Sequence, residues 1–394
     1  MLIGYDIVCI SSTDWFDIWG SRQHIMKRLA KHNRILYVET QIGPEHLIRD
    51  RHYWTKFKRW EEGIKEVEKN IFIYSPPLLF PGRYYSLTLN KLGQMLLLFF
   101  LKKIIAKLNF QNIILWIYQP NCDYLVNKLN EKLALYYCID EFSGGTSGRK
   151  KMIILEEEKR LMQKVDLVFI HNKGILNRKG HYNKNTYLMP SAAETEHYKK
   201  VFEDKIEIPE DIKKIKKPII GLIGNFTTKC DVNLLYELAK TSPEWSFIVI
   251  GEVYKDRVNI RKLEELSNFY FLGKKDYSIL PNYQKAIDVC IIPYIISDET
   301  IYISPLKLYE YMAGGKLIVS TPLPEAVEYE GIIKIAKNAE EFKKSITEFL
   351  KMNEEEKKEI QKKESEIVAE NSWEKRIEKI SKIINQIISF DSQH

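Results

Sequence analysis

Ser304-Pro-Leu-Lys-Leu-Tyr-Glu-Tyr-Met-Ala-Gly-Gly-Lys-Leu-Ile-Val-Ser-Thr-Pro-Leu-Pro-Glu325 reads as a helix start, one short helix, a glycine stop and a buried strand. Ser304 is a favourable N-cap, and Pro305 suits the first helical position because its missing N–H is not needed there. Gly314 and Gly315 end the helix, and Leu317-Ile318-Val319 is apolar throughout, as interior parallel strands are. The backbone N–H groups of Leu306 and Lys307 at such a helix start can bind phosphate. Lys307 adds a cation, and Glu310, a turn farther on, adds a carboxylate suited to the two hydroxyls of a ribose. That order of groups is what a nucleoside diphosphate sugar requires. The plain alternative is a surface ion pair between Lys307 and Glu310, which stabilises a helix by only about 0.2–0.5 kcal/mol.

Outward from this stretch, strand-like and helix-like segments alternate along the whole chain, the pattern of a doubly wound α/β fold. Apolar runs at 7–10, 35–38, 71–74, 113–117, 134–137, 167–170 and 186–189 are expected strands of a first domain. Runs at 219–224, 246–251, 269–273, 289–293, 317–320 and 332–335 are expected strands of a second. Pro190 to Lys200 breaks the rhythm. The expected organisation is a first domain over 1–195, a second over 196–372 and a final helix over 373–394. Trp373, Ile377, Ile380, Ile383 and Ile384 form one apolar stripe on that helix. Two α/β halves of this kind bind ligands beyond the carboxyl ends of their strands.

The 394 residues suffice for two domains with ample cores, and 45% hydrophobic with 29% charged residues is ordinary for a globular protein. A formal charge of +7 suits an anionic partner, whether a nucleotide diphosphate, a lipid phosphate or a membrane surface. No zinc-finger spacing or basic-region helix points to nucleic acid. The five cysteines are scattered, several within apolar runs, and read as buried thiols in a reducing cytoplasm. Asp6, Asp14 and Asp17 interrupt any signal-peptide-like run, and the longest purely apolar stretch, Met95 to Leu101, is too short to span a bilayer. The expected location is therefore cytoplasmic.

The 304–325 motif resembles the donor-site motif of GT-B glycosyltransferases, in particular the glycogen-synthase-like group acting in bacterial polysaccharide and teichuronic acid assembly. Glu310 matches the second glutamate of that motif. Tyr302 stands where the first would be, with Asp298 and Glu299 nearby. Gly221-Leu-Ile-Gly-Asn-Phe-Thr-Thr-Lys229 is similar to the family's glycine loop, with Gly224 and Lys229 in place and Asn225 where an arginine is usual. Gly251 ends a later strand at the same edge. The resemblance implies a GT-B fold: two Rossmann-like domains facing a cleft, with the last helix crossing back to the first. It also implies transfer of a sugar from a nucleoside diphosphate, UDP before dTDP or GDP, to a glycan or lipid-linked acceptor, with retention and no bound metal or other cofactor. Alternatives are a nucleotide-sugar epimerase on the same fold and a non-catalytic binding relative. Ser304, Pro305, Leu306, Lys307 and Glu310 are the expected donor-binding set, with Gly224, Asn225, Lys229 and Gly251.

In the first domain, Ser11-Ser-Thr-Asp-Trp-Phe-Asp-Ile-Trp-Gly-Ser-Arg-Gln-His24 follows the first expected strand. Gly20 and Arg22 are candidate donor contacts, and Asp14, Asp17 and His24 are candidate bases. Asp140, in Tyr-x-x-Asp-Glu-Phe, ends another strand facing the same way and is a further candidate catalytic residue. Arg49 to Trp60 mixes cations with aromatics, and Tyr84 to Phe110 is strongly apolar with Lys91, Lys102, Lys103 and Lys107. The second stretch reads as a core helix with one solvated edge. Either could also lie on the inner membrane surface beside a lipid-linked acceptor.

Overall fold

The computed structural model of the chain describes residues 1–17, 19–43, 54–78, 80 and 82–391. It divides into two compact units, Met1–Pro190 with Arg376–His394, and Ser191–Lys375. Each is a twisted sheet covered by helices.

The first unit holds β1 (Asp6–Ile10), β2 (Arg34–Val38), β3 (Ile64–Glu68), β4 (Ile71–Tyr74), β5 (Ile113–Ile117), β6 (Leu133–Cys138), β7 (Leu167–Ile170) and β8 (Thr186–Leu188). Their order across the sheet is β3-β4-β2-β1-β5-β6-β7-β8. All neighbours are parallel except β3, which runs antiparallel to β4 at the edge. The sequence pattern misses β3 because Ile64-Lys-Glu-Val-Glu68 is a half-exposed edge strand, with little apolar signal. By contrast β1 and β5 are buried along their whole length, as strands covered on both faces must be.

The helices used below are α1 (Ser21–Leu29), α2 (Trp54–Glu62), α3 (Leu87–Lys107) and α4 (Gly148–Lys164). On α3, Gly93, Leu97, Leu98, Leu101 and Ile104 face the core. The other side exposes Leu92, Met95 and Phe99. This helix is thus a core helix with an apolar outer stripe. Of the aromatic and basic stretch, Arg49 to Tyr53 lie outside the described residues. Among the described residues no helix is long and apolar enough to cross a membrane.

The second unit orders β9 (Ile219–Ile223), β10 (Ser246–Ile250), β11 (Phe269–Gly273), β12 (Val289–Ile292), β13 (Leu317–Ser320) and β14 (Lys334–Ile335) as β11-β10-β9-β12-β13-β14. Alternate residues feed two cores. Ile220, Leu222, Val249 and Val319 pack on one face. Ile223, Ile248, Ile250 and Ile318 pack on the other. The motif helix is α5 (Leu306–Ala313); farther along the chain come α6 (Glu354–Glu370) and α7 (Trp373–Asp391), the latter counted with the first unit from Arg376 on. Gly314 closes α5 and Gly315 takes φ +60°, the left-handed stop that glycine favours. On α7, Trp373, Ile377, Ile380, Ile383 and Ile384 are all buried.

Candidate functional site

The strand order of the second unit reverses between β9 and β12, and ligands of open α/β sheets bind beyond the strand ends at such a point. The loops after β9 and β10 and the start of α5 meet there. Gly224 takes φ +130°, and a Cβ on it would come within 3.0 Å of the Lys307 ammonium. A Cβ on Gly251 would run into the Gly224 carbonyl. Two absent side chains therefore let the loops and the ammonium close up.

Lys307 is only 8% exposed. Its Nζ has no hydrogen-bond partner among the described residues, and it sits 4.8 Å from the centre of the Tyr294 ring. Burying an ammonium without hydrogen-bond partners is costly. Here the cation faces glycine backbone beside a helix start, an arrangement suited to an anion.

Glu310 lies a turn along. Burial pushes its carboxyl up to about 7, against the opposing pull of the Tyr198 phenol and the Lys307 ammonium. Tyr277 also acts on it, and Tyr277 stacks on His197 with ring centres 4.5 Å apart. Tyr198, His197 and Tyr277 come from distant segments, and nothing in their local sequence marks them. The helix is locked on the sheet by Tyr311, whose hydroxyl accepts from the Ile223 N–H at 2.7 Å and donates to the Ile223 carbonyl at 3.2 Å.

One detail of the motif differs from the sequence expectation. The N-cap of α5 is Pro305, and Ser304 precedes it. The Ser304 hydroxyl donates to Glu325 at 2.5 Å and accepts from the Ser191 N–H at 3.1 Å. Tyr309 donates to the same Glu325 oxygen at 2.6 Å. Ser304 thus fastens the entry to the helix rather than capping it. Proline has no N–H and no polar side chain, so the cap leaves the first N–H groups of α5 open to a ligand.

Asn225 bridges the two loops, its Oδ1 accepting from the Glu252 N–H and its Nδ2 donating to the Tyr254 hydroxyl, both at 3.4 Å. Lys229 stands 3.4 Å from Glu299, both partly exposed. An exposed pair of this kind is weak and yields readily to a better anion. Among the described residues no group of three or more His, Cys, Asp and Glu is arranged to hold a metal ion.

In the first unit the reversal lies at β1 and β5, and the loop after β1 leaves from it. Gly20 caps α1, its N–H donating to Gln23 Oε1 at 3.1 Å. Arg22 lies 3.8 Å from Asp140 and 5.7 Å from the Tyr118 ring centre, so these two candidates are brought together.

Asp14 is differently placed from what a general base needs. It is buried, with Lys56 at 2.6 Å and Arg59 at 2.7 Å on its two oxygens, and it also accepts from the Thr40 N–H at 3.1 Å. Burial alone would raise this carboxyl, but the two cations outweigh it and hold it below its usual range. Asp17 is exposed and accepts from the Asp14 N–H at 3.3 Å. His24 is 1% exposed. Its Nδ1 accepts from Trp19 Nε1 and from Arg28, each at 3.4 Å, so that nitrogen is occupied. Asp14 and His24 have the surroundings of structural groups. The sequence gives no sign of this for Asp14, because its partners lie on α2.

The architecture is that of the GT-B class: two doubly wound units, with a buried ammonium at a helix start and a carboxylate one turn on in the second. Residues 217–352, within the second unit, match the family described as Glycosyl transferases group 1. A Bacillus subtilis (strain 168) protein described as a teichuronic acid biosynthesis glycosyltransferase, TuaH, is 26% identical over 234 residues, 56% of this chain. The chain spans 58% of that relative's length.

Among solved structures, sucrose-phosphate synthase from Thermosynechococcus elongatus superposes with a TM-score of 0.72 at 16% identity, over 98% of this chain and 100% of that one. The E. coli trehalose-6-phosphate protein bound with UDP-2-fluoro glucose gives 0.68 at 14%, over 98% and 99%. The fold is therefore the GT-B fold of these enzymes.

Proposed function

We propose that the protein is a glycosyltransferase that moves a sugar from a UDP-linked donor to a glycan or lipid-linked acceptor in surface polysaccharide assembly. The observation that carries this reading is the buried Lys307 ammonium, without a hydrogen-bond partner among the described residues and held against Gly224 at the start of α5 with Glu310 one turn on. In this reading the diphosphate lies on the N–H groups of Leu306 and Lys307 and on the Lys307 ammonium. Lys229 leaves Glu299 to join it, and Glu310 accepts from the ribose hydroxyls. Positive charge fixed in advance where the leaving diphosphate gains negative charge is the main source of catalysis, with no metal assigned a part. Retention is part of the same reading, in which a donor phosphate oxygen takes the acceptor proton. The TuaH likeness supports an acceptor in cell-surface polysaccharide assembly.

The test is calorimetry with UDP-glucose, GDP-mannose and dTDP-glucose, followed by turnover with and without added acceptor glycans. Binding of none of the three would remove the donor-site reading, and turnover without acceptor would point to an epimerase. Glu310 adds a pH signature. Its carboxyl must be ionised to accept from both hydroxyls. With a value of about 7 in the free protein, UDP-glucose affinity should rise roughly ten-fold between about pH 6 and pH 8. The Glu310→Gln variant should bind weakly and flatly across that range. An equally steep profile in the variant would assign the titration to another group. Stability of the free protein runs the other way: the contribution of the raised carboxyl is complete below about 4.5 and lost as pH passes about 7.

A membrane-surface role is part of the same reading. Leu92, Met95 and Phe99 are exposed on one stripe of α3, and Lys103 lies 4.1 Å from the Phe99 ring centre. An apolar stripe edged by lysines suits an anionic bilayer surface. The protein should co-sediment with phosphatidylglycerol vesicles, and Phe99→Glu should weaken this several-fold. Equal sedimentation of the variant would discard the stripe as the contact.

A further inference from the structure

We propose that the cavity between α3 and α4 of the first unit is a second carbohydrate site, taking a sugar that bears an anionic group, either a uronate or a sugar phosphate. Nothing in the donor-site reading requires it. The cavity measures about 690 Å³, within the range of small-molecule sites. Its lining includes Glu157, which is 2% exposed. Neither carboxyl oxygen of Glu157 has a hydrogen-bond partner among the described residues. Asn90, on the same wall, is near enough to pull the Glu157 carboxyl down somewhat, but its amide is engaged with Asn121: Nδ2 donates to the Asn121 carbonyl at 2.8 Å, and Oδ1 accepts from Asn121 Nδ2 at 3.0 Å. A buried carboxyl without partners is costly where leucine or methionine would pack without penalty. Its presence in the wall of a cavity is explained by a ligand that supplies the missing bonds.

The rest of the lining defines that ligand. Lys91, Lys128, Arg160 and Lys164 all border the cavity. Lys164 pairs with Asp123 at 2.5 Å and Arg160 with Glu156 at 2.7 Å, and both cations are about half exposed. Exposed pairs contribute little and can be exchanged for a ligand anion. Lys91 and Lys128 lie over the Tyr124 ring, 5.8 and 5.9 Å from its centre. Four cations exclude an amine and favour an anion. Burial, reinforced by Asp123, pushes the Glu157 carboxyl up to about 8, so near neutrality it carries its proton and can both donate and accept. A sugar hydroxyl also does both. A hydroxylated anion is the chemistry that uses the carboxyl and the cations together.

The experiment is calorimetry and amide hydrogen exchange on the full chain, with UDP-glucose present throughout to occupy the donor site. The probes are sodium glucuronate, glucose 6-phosphate, glucose and inorganic phosphate. Glucuronate or glucose 6-phosphate should bind more tightly than either glucose or phosphate and should protect amides in 121–128 and 153–164. The tighter of the two identifies the anion. Glu157→Leu should raise the melting temperature of the free protein and weaken that binding by about ten-fold, whereas Glu157→Gln, which keeps a donor and an acceptor, should retain most of it. Lys128→Glu, a surface change, should weaken binding several-fold without disturbing the fold. The proposal falls if neither sugar anion outbinds glucose and phosphate, if protection appears elsewhere, or if Glu157→Leu and Lys128→Glu both bind like the parent. Unchanged UDP-glucose affinity in these variants separates this result from any failure of the donor site.

Discussion

Lys307→Met should weaken UDP-glucose binding by about 2–3 kcal/mol, roughly 30- to 150-fold in Kd, while making the unliganded protein more stable. The two effects have one cause. The ammonium is buried against Gly224 and has no hydrogen-bond partner among the described residues. In the free protein its desolvation is offset by the ring of Tyr294 and by the Glu310 carboxyl a turn away, neither of which hydrogen-bonds to it. Methionine fills the same space without charge, so the free fold gains about 1–2 kcal/mol, the scale of an uncompensated buried polar group. With donor bound, the parent recovers the charged hydrogen bond that methionine cannot make. Thermal melts with and without UDP-glucose check both halves: the variant should start higher and shift less. Were Lys307 only a packing partner of Tyr294, the variant would melt lower and shift as far as the parent.

Asp14→Asn should destabilise the protein by about 3 kcal/mol, the lower end of what breaking a buried ion pair costs. The value is not larger because the two cations keep other partners. Arg59 also donates to Glu39 at 3.1 Å, and Lys56 donates to the Thr40 carbonyl at 2.7 Å. Glu39 is itself raised by burial and by the Asp14 charge, so losing that charge eases its ionisation. Asp17→Asn, on an exposed side chain, should stay within about 0.5 kcal/mol. Urea unfolding of the two variants makes the comparison. If Asp14 were the reacting base, its variant would unfold like the parent and lose turnover, the reverse of this expectation.

The strand series and the motif helix are plain in the sequence because buried parallel strands are apolar throughout and glycine marks a helix end. Glu310 and Lys307 are legible for the same reason: their spacing on one helix is local. The surroundings of these residues are not local. Ser304 looks like a cap until Glu325, across the next strand, takes its hydroxyl. Asp14 looks available because Lys56 and Arg59 stand on a later helix. Tyr198 and Tyr277 reach Glu310 from two other segments. Edge strand β3 is polar because one side has no neighbour, and periodicity cannot register it. In each case the missing information is a contact between residues far apart in the chain.

The close approach of Gly251 to the Gly224 carbonyl also bears on how this protein can be altered. The two loops are not independent modules, because the Gly224 carbonyl occupies the room a side chain at 251 would need. A loop transplanted after β10 from a transferase of different donor preference will fit only if it brings a glycine to that place. Variation in these loops is thereby steered to the positions beyond the crossing, at 252 and 254, where Asn225 meets the Glu252 N–H and the Tyr254 hydroxyl. A library that randomised 251 with its neighbours would consist largely of misassembled members, whereas one that left the crossing intact would sample specificity alone.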